Sequence, residues 1–163
     1  MQIPIKLSEH FSLQEAVSSD KAVSLGIDNT DLGDDVIMNA IRTAGRMETV
    51  RSLLNCAVHV DSWIRCLALN RAVGSKDTSQ HILGEAVDFI AADFGTPLDI
   101  CRAIIAAKPT IGYDQLILEH TWVHISFCAP DCIPRGHVLS LLATGSYAVG
   151  LTDTQGKPFP VVS

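Results

Sequence analysis

Apolar residues recur at helical spacing over one long stretch of the chain. Between residues 34 and 55 they fall at Val36, Ile37, Ala40, Ile41, Ala44, Met47, Val50, Leu53 and Leu54. Steps of mostly three and four place them along one side of an α-helix. The pattern predicts a scaffold helix whose stripe packs into a core. Elsewhere the period drops to two. Residues 57–61, Ala-Val-His-Val-Asp, alternate as a strand. Residues 85–90 alternate so that Ala86, Asp88 and Ile90 share one face. Two further short runs, 114–119 and 122–127, read as strands joined by a tight turn at His120-Thr121, with Trp122, His124 and Ser126 pointing one way. Shorter helices are expected at the capping-box pattern Ser12-Leu13-Gln14-Glu15, at 67–72, and at 98–107 behind Thr96-Pro97. Residues 74–79 form a polar loop. A last strand or hairpin is expected near 146–151, and residues 153–158 read as a loose, turn-rich tail. Helices mixed with short strands predict an α+β fold, with helices packed on a small, mostly antiparallel sheet. No repeat, low-complexity tract or linker interrupts the sequence, so one domain over 1–163 is expected.

Composition narrows the function classes. A chain of 163 residues can bury a real core. Hydrophobic content of 47% against 18% charged describes a globule and not a disordered chain. The net charge of −6, with no lysine- or arginine-rich run, argues against binding nucleic acid by phosphate neutralisation. No stretch is long and apolar enough to span a bilayer. Residues 1–6, Met-Gln-Ile-Pro-Ile-Lys, lack the features of a signal peptide, so synthesis in the cytoplasm is expected. The five cysteines show no Cys-x-x-Cys pair, and a reduced state is the default. Cys128 and Cys132 also leave open a small disulfide loop or a second metal. A monomer is expected.

The candidate chemistry lies in Ser79-Gln80-His81-Ile82-Leu83-Gly84-Glu85-Ala86-Val87-Asp88 and in Trp122-Val123-His124. Two imidazoles and one carboxylate make the three protein ligands of a catalytic zinc ion, with water at the fourth corner. His81 and Asp88 are too far apart in sequence for a helical His-Glu-x-x-His site. Gly84 allows a tight turn between them. A histidine in a loop, a carboxylate on the strand after it, and a histidine on a neighbouring strand would meet at one ion. His10, His59 and His137 have no partner at metal spacing.

The pattern Ser-x-His-x-x-Gly-x-Ala-x-Asp followed by Trp-x-His resembles the D-Ala-D-Ala metallopeptidase family. That family shares its zinc site with lysostaphin-type peptidases and the hedgehog domain. Its small phage and bacterial members read Ser-Gly-Tyr-Arg-Ser, Leu-Asn-x-x-Val-Gly-Gly and Ser-x-His. Here the corresponding segments are Asp61-Ser62-Trp63-Ile64-Arg65-Cys66, Leu69-Asn70-Arg71-Ala72-Val73-Gly74-Ser75 and Ser79-Gln80-His81. The resemblance extends over roughly residues 7–150. It implies a hedgehog or D,D-peptidase-like fold with Zn2+ (one ion) on the exposed face of the sheet, held by His81, Asp88 and His124. It implies Glu119 as general base, with His120 as the alternative, and Arg65 at the substrate carbonyl or oxyanion. Ser79 and Gln80 would bind peptide groups, and Asp114 would orient a ligand histidine. Where relatives carry Gly-Tyr before the arginine, this chain has Trp63-Ile64, which bears on the substrate pocket.

The implied activity is hydrolysis of an amide bond in the peptidoglycan stem peptide or cross-link, by a carboxypeptidase or endopeptidase of phage or prophage origin. Without a signal peptide, delivery to the wall would need a holin or a virion. Two other readings stay open: a zinc-bearing virion or wall-binding protein without turnover, and a peptidase for free D-amino dipeptides. The spacing of Glu119, five before His124, speaks against the last.

Overall fold

A computed structural model describes residues 5–161; the N-terminal reading of Met1 to Pro4 lies outside the described residues. Its longest element is α3 (Asp34–Leu54), which ends at Asn55 in the left-handed conformation, φ 50°. Asp34 and Asp35 in the first turn and Arg51 in the last complement the helix dipole. Ala40, Ala44, Met47, Val50 and Leu54 are buried as the periodicity predicts. Ile41 and Leu53 are exposed instead, because the helix packs by a narrower stripe than its apolar content suggests.

The sheet has six strands: β1 (His59–Ser62), β2 (Ala86–Ile90), β3 (Gln115–Leu118), β4 (Val123–Ser126), β5 (His137–Leu141) and β6 (Tyr147–Val149). Their order is β1-β2-β4-β3-β5-β6, and every neighbouring pair is antiparallel except β3–β5. The fold is therefore α+β with a mostly antiparallel sheet. Two of these strands modify the expectations. The sequence pattern does not predict β5, and β6 is the strand expected near 146–151.

Alternation along the central strands separates two faces. Val87 and Phe89 on β2, Val123 and Ile125 on β4, and Leu116 and Leu118 on β3 enter one apolar cluster with Ala44, Met47 and Val50 of α3. Ile100 and Ile104 of α5 (Pro97–Ala106) complete it. A capping box between Thr96 and Asp99 starts α5, as the Thr-Pro signal predicts. The opposite face carries Asp88, His124 and Ile117 in one row, set by the pairings Asp88↔His124 and Ile117↔His124. A slip of one residue between β2 and β4 would put Asp88 and His124 on opposite faces of the sheet.

Short helices complete the chain. α1 (Leu13–Val17) is capped by Ser12, and α4 (Leu67–Ala72) matches its expected span. α2 (Asp20–Leu25), capped by Ser19, and α6 (Lys108–Ile111) are not among the helices expected from the sequence. Residues 153–158 are tied down and not loose: Thr152 bridges Pro158, the Ala143 amide donates to the Thr154 carbonyl, and Phe159 donates to Leu151. Turn-forming residues there close a turn against the β5–β6 hairpin.

Candidate metal centre

His81 sits within a compact turn spanning residues 79–84. Three carbonyls within the turn accept amide protons, Ser79 from Ile82, Gln80 from Leu83 and His81 from Gly84. Gly84 closes the turn at φ +75°, a conformation that suits glycine. The segment 63–65 braces it from below. Trp63 is buried, and its Nε1 donates to the Gly84 carbonyl at 3.0 Å. His81 Nδ1 donates to the Trp63 carbonyl at 2.6 Å, and the Arg65 amide donates back to the His81 carbonyl at 3.1 Å. A carbonyl only accepts, so the Nδ1 proton is fixed and Nε2 keeps its lone pair. Trp63 thus underpins a ligand and does not line the substrate cleft.

Three ligand atoms converge. His81 Nε2 lies 3.2 Å from Asp88 Oδ1 and 3.3 Å from His124 Nδ1. His124 Nδ1 lies 2.8 Å from the same carboxylate oxygen. A tetrahedral zinc ion with bonds of about 2.0–2.1 Å has ligand-to-ligand edges of roughly 3.3 Å, so this triangle fits one face of such a site. The donor set fits as well, being two neutral-capable imidazoles and a carboxylate. Burial pushes the His81 imidazole below its ordinary pKa, which favours the neutral form that binds metal. Burial works against the Asp88 charge, but the two imidazoles offset it and hold the carboxyl well below its usual range. Arg65 grips the other carboxylate oxygen, Nη2 to Oδ2 at 2.6 Å, while its Nε donates to Ser62 Oγ. Ser62 is the β1 partner of Asp88 across the sheet.

These atoms lie in a cleft of about 880 Å³. Arg65, Ser79, Gln80 and Glu119 line it with the three ligands. Burial raises the Glu119 carboxyl above its ordinary pKa, and the Asp88 charge adds to the rise. Tyr147 Oη donates to Glu119 Oε1 at 3.5 Å. Trp122 also lines the cleft.

Several expectations are corrected. Asp114 does not orient a ligand histidine. It takes a forked pair from Arg135 instead, Nη2 to Oδ2 at 2.6 Å and Nε to Oδ1 at 3.1 Å, and the main-chain carbonyl of Trp63 orients His81. The His120 ring bonds to the Leu141 carbonyl and is not among the cleft-lining residues. The Gln80 side chain lines the cleft but is engaged at both ends, donating to Phe127 and accepting from Arg135. Cys128 and Cys132 are free thiols. Among the described residues, only His81, Asp88 and His124 form a group with metal-binding spacing. His10 pairs with Glu48, His59 lies near Asp61, and His137 is exposed. Sequence reasoning misses Arg135 and Tyr147. The punctuation Pro134-Arg135-Gly136 before an apolar run is the available signal for the strand that brings them in.

No curated protein matches this chain. A family model described as Peptidase M15 matches residues 9–126, a span that contains all three ligand positions and ends on the last residue of β4. With that match over most of its length, and a buried His-Asp-His triangle in the matched part, the chain belongs to the Peptidase M15 family of D-Ala-D-Ala metallopeptidases.

Proposed function

We propose that this chain is a zinc-dependent peptidoglycan peptidase that hydrolyses an amide bond of the stem peptide or cross-link. The observation that carries the reading is the triangle of zinc dimensions on the wall of a cleft that also holds the carboxyl of Glu119. Zinc bound there would polarise the scissile carbonyl and lower the pKa of a water molecule. Glu119 takes the proton of the attacking water and passes it to the leaving amine. Burial raises its pKa, which makes it a stronger base for that exchange than an exposed glutamate. Arg65 keeps Asp88 oriented and presents its remaining N–H groups to charge growing on the carbonyl oxygen. Ser79, beside His81 on the cleft wall, is placed to meet substrate peptide groups.

The setting we propose is a phage or prophage lysin, supported by the likeness of the 61–81 segments to small phage peptidases. No helix among the described residues is long and apolar enough to cross a membrane. In the proposed setting, a holin or a virion would bring the protein to the wall.

Mass spectrometry of fragments released from purified peptidoglycan tests the reading. Zinc-loaded wild type should release fragments whose new termini name the bond. Glu119→Gln should lose about 10²–10⁴-fold in rate while still binding one zinc per chain. Full activity in that variant would remove Glu119 as base. Zinc binding with no release by the wild type would favour a wall-binding protein without turnover.

A further inference from the structure

The family match ends at residue 126, yet the cleft does not. Its far wall is built by residues beyond that point: Arg135, Leu139 on β5, and Gly145 and Tyr147 at β6. Arg135 is the one of these with charge to offer.

Its guanidinium is fixed in place. Asp114, whose side chain is only 4% exposed, accepts from the Arg135 amide at 2.8 Å, from Nε, and from Nη2. Nη2 also reaches Gln80 Oε1 at 3.4 Å, one residue from the ligand His81. Nη1 has no hydrogen-bond partner among the described residues. The Arg135 side chain is 49% exposed. The acid of the pair is therefore hidden and the base presented, so the pair shows the cleft a cation.

Lys76 and Arg65 also line the cleft, with the acids Asp88 and Glu119. Arg65 is paired with Asp88, and Arg135 with Asp114 behind it. The cleft has no large excess of either sign, so an anion would be drawn by the exposed donors of Arg135 and not by net charge.

Placement along the sheet fixes which end. Asp114 immediately precedes Gln115, which pairs with Ser126, whereas Ile117 pairs with His124. Arg135 is thus anchored three residues along the chain, roughly 10 Å, to one side of the ligand row, and Glu119 with Tyr147 lies to the other.

Resting on the peptidase reading above, we propose that Arg135 is a specificity-determining residue that binds a free carboxylate of the substrate peptide, so that the enzyme selects acidic stem peptides over their amidated forms. A rigid, half-exposed guanidinium whose Nη1 is free to donate is suited to a carboxylate, and binding costs little ordering because Asp114 already holds it.

The test uses the synthetic pentapeptide L-Ala-γ-D-Glu-L-Lys-D-Ala-D-Ala and two analogues. One is amidated at the D-Glu α-carboxyl, the other at the C-terminus. Zinc-loaded wild type should prefer the free acid over one of the analogues by about 10–100-fold in kcat/KM, mostly through KM. In Arg135→Gln the ratio should fall to about one. The double variant Arg135→Gln with Asp114→Asn should do the same, and it leaves no buried charge unpaired, so a folding defect cannot mimic the result. Equal cleavage of all three peptides by the wild type would overturn the proposal, and so would a preference that survives in the double variant.

Calorimetric binding of the same peptides separates this from failure of the catalytic reading. If the wild type cleaves none of them, tighter binding of the free acid that vanishes in the double variant still supports the Arg135 site. Equal affinities in both proteins reject it.

Discussion

On the proposed reading, Glu119 is held in a state that serves chemistry and not stability. Burial and the Asp88 charge raise its pKa, so the folded chain holds its proton more tightly than the unfolded chain does. That contribution is present below the ordinary glutamate value near 4.5 and is lost as pH rises through the raised value. In metal-free protein, Glu119→Gln should therefore melt at a higher temperature than wild type at pH 7. The gap should close as pH falls below the ordinary value. A Tm difference that is constant from pH 4 to 7 would show that the charge carries no such strain. At this scale the sequence is informative about ligands and less so about their supports. The triplet His81, Asp88 and His124 is legible because two strand patterns and one glycine fix where each side chain points. The role expected of Asp114 fails because its partner Arg135 arrives from beside an unpredicted strand, 21 residues away. Trp63 reads as a change in the pocket, but only the folded chain shows it lying beneath His81.

Among the elements, the 79–84 turn is the piece whose geometry is least forgiving. A Cβ added at Gly84 would stand 2.8 Å from the Val36 carbonyl oxygen of α3, in a backbone conformation already at φ +75°. Gly84→Ala should cost about 2 kcal/mol or more, since both the left-handed strain and the contact act against it. It should also weaken zinc binding, because the turn would lift His81 away from Asp88. Urea unfolding and a chelator-competition titration measure the two effects. Unchanged zinc affinity in a destabilised variant would show that the turn is not what positions His81. The strong elements are readable: α3 by its long helical period, α1 and α5 by their start signals, and β2 to β4 by alternation. α2 is hidden because it is short and leaves Val23 and Leu25 exposed, so no apolar stripe marks it. β5 is hidden because His-Val-Leu-Ser-Leu does not alternate cleanly and its parallel partner β3 is distant in sequence.

For the molecule as a whole, the three ligands join a loop and two strands, so a bound ion would tie residues 81, 88 and 124 together. Zinc that binds only the folded state adds about 2.7 kcal/mol when free zinc is 100-fold above Kd. For a chain of this length the melting temperature should rise by roughly 5–10 °C on zinc addition and fall back with EDTA. His81→Ala should abolish the response, and a response retained in that variant would locate the metal elsewhere. The parallel entry of β5 beside β3 has a separate consequence. All three metal-binding candidates precede residue 127, on the turn at 79–84 and on an antiparallel unit in the order β1-β2-β4-β3, whose strands all precede β5 in the chain. The hairpin added afterwards, β5 with β6, contributes cleft residues but no member of the His-Asp-His group. The chain is thus divided into a chassis that carries the metal site and a side panel that shapes the cleft. Substitutions confined to the panel can reshape that wall and leave the donor atoms of the triangle in place.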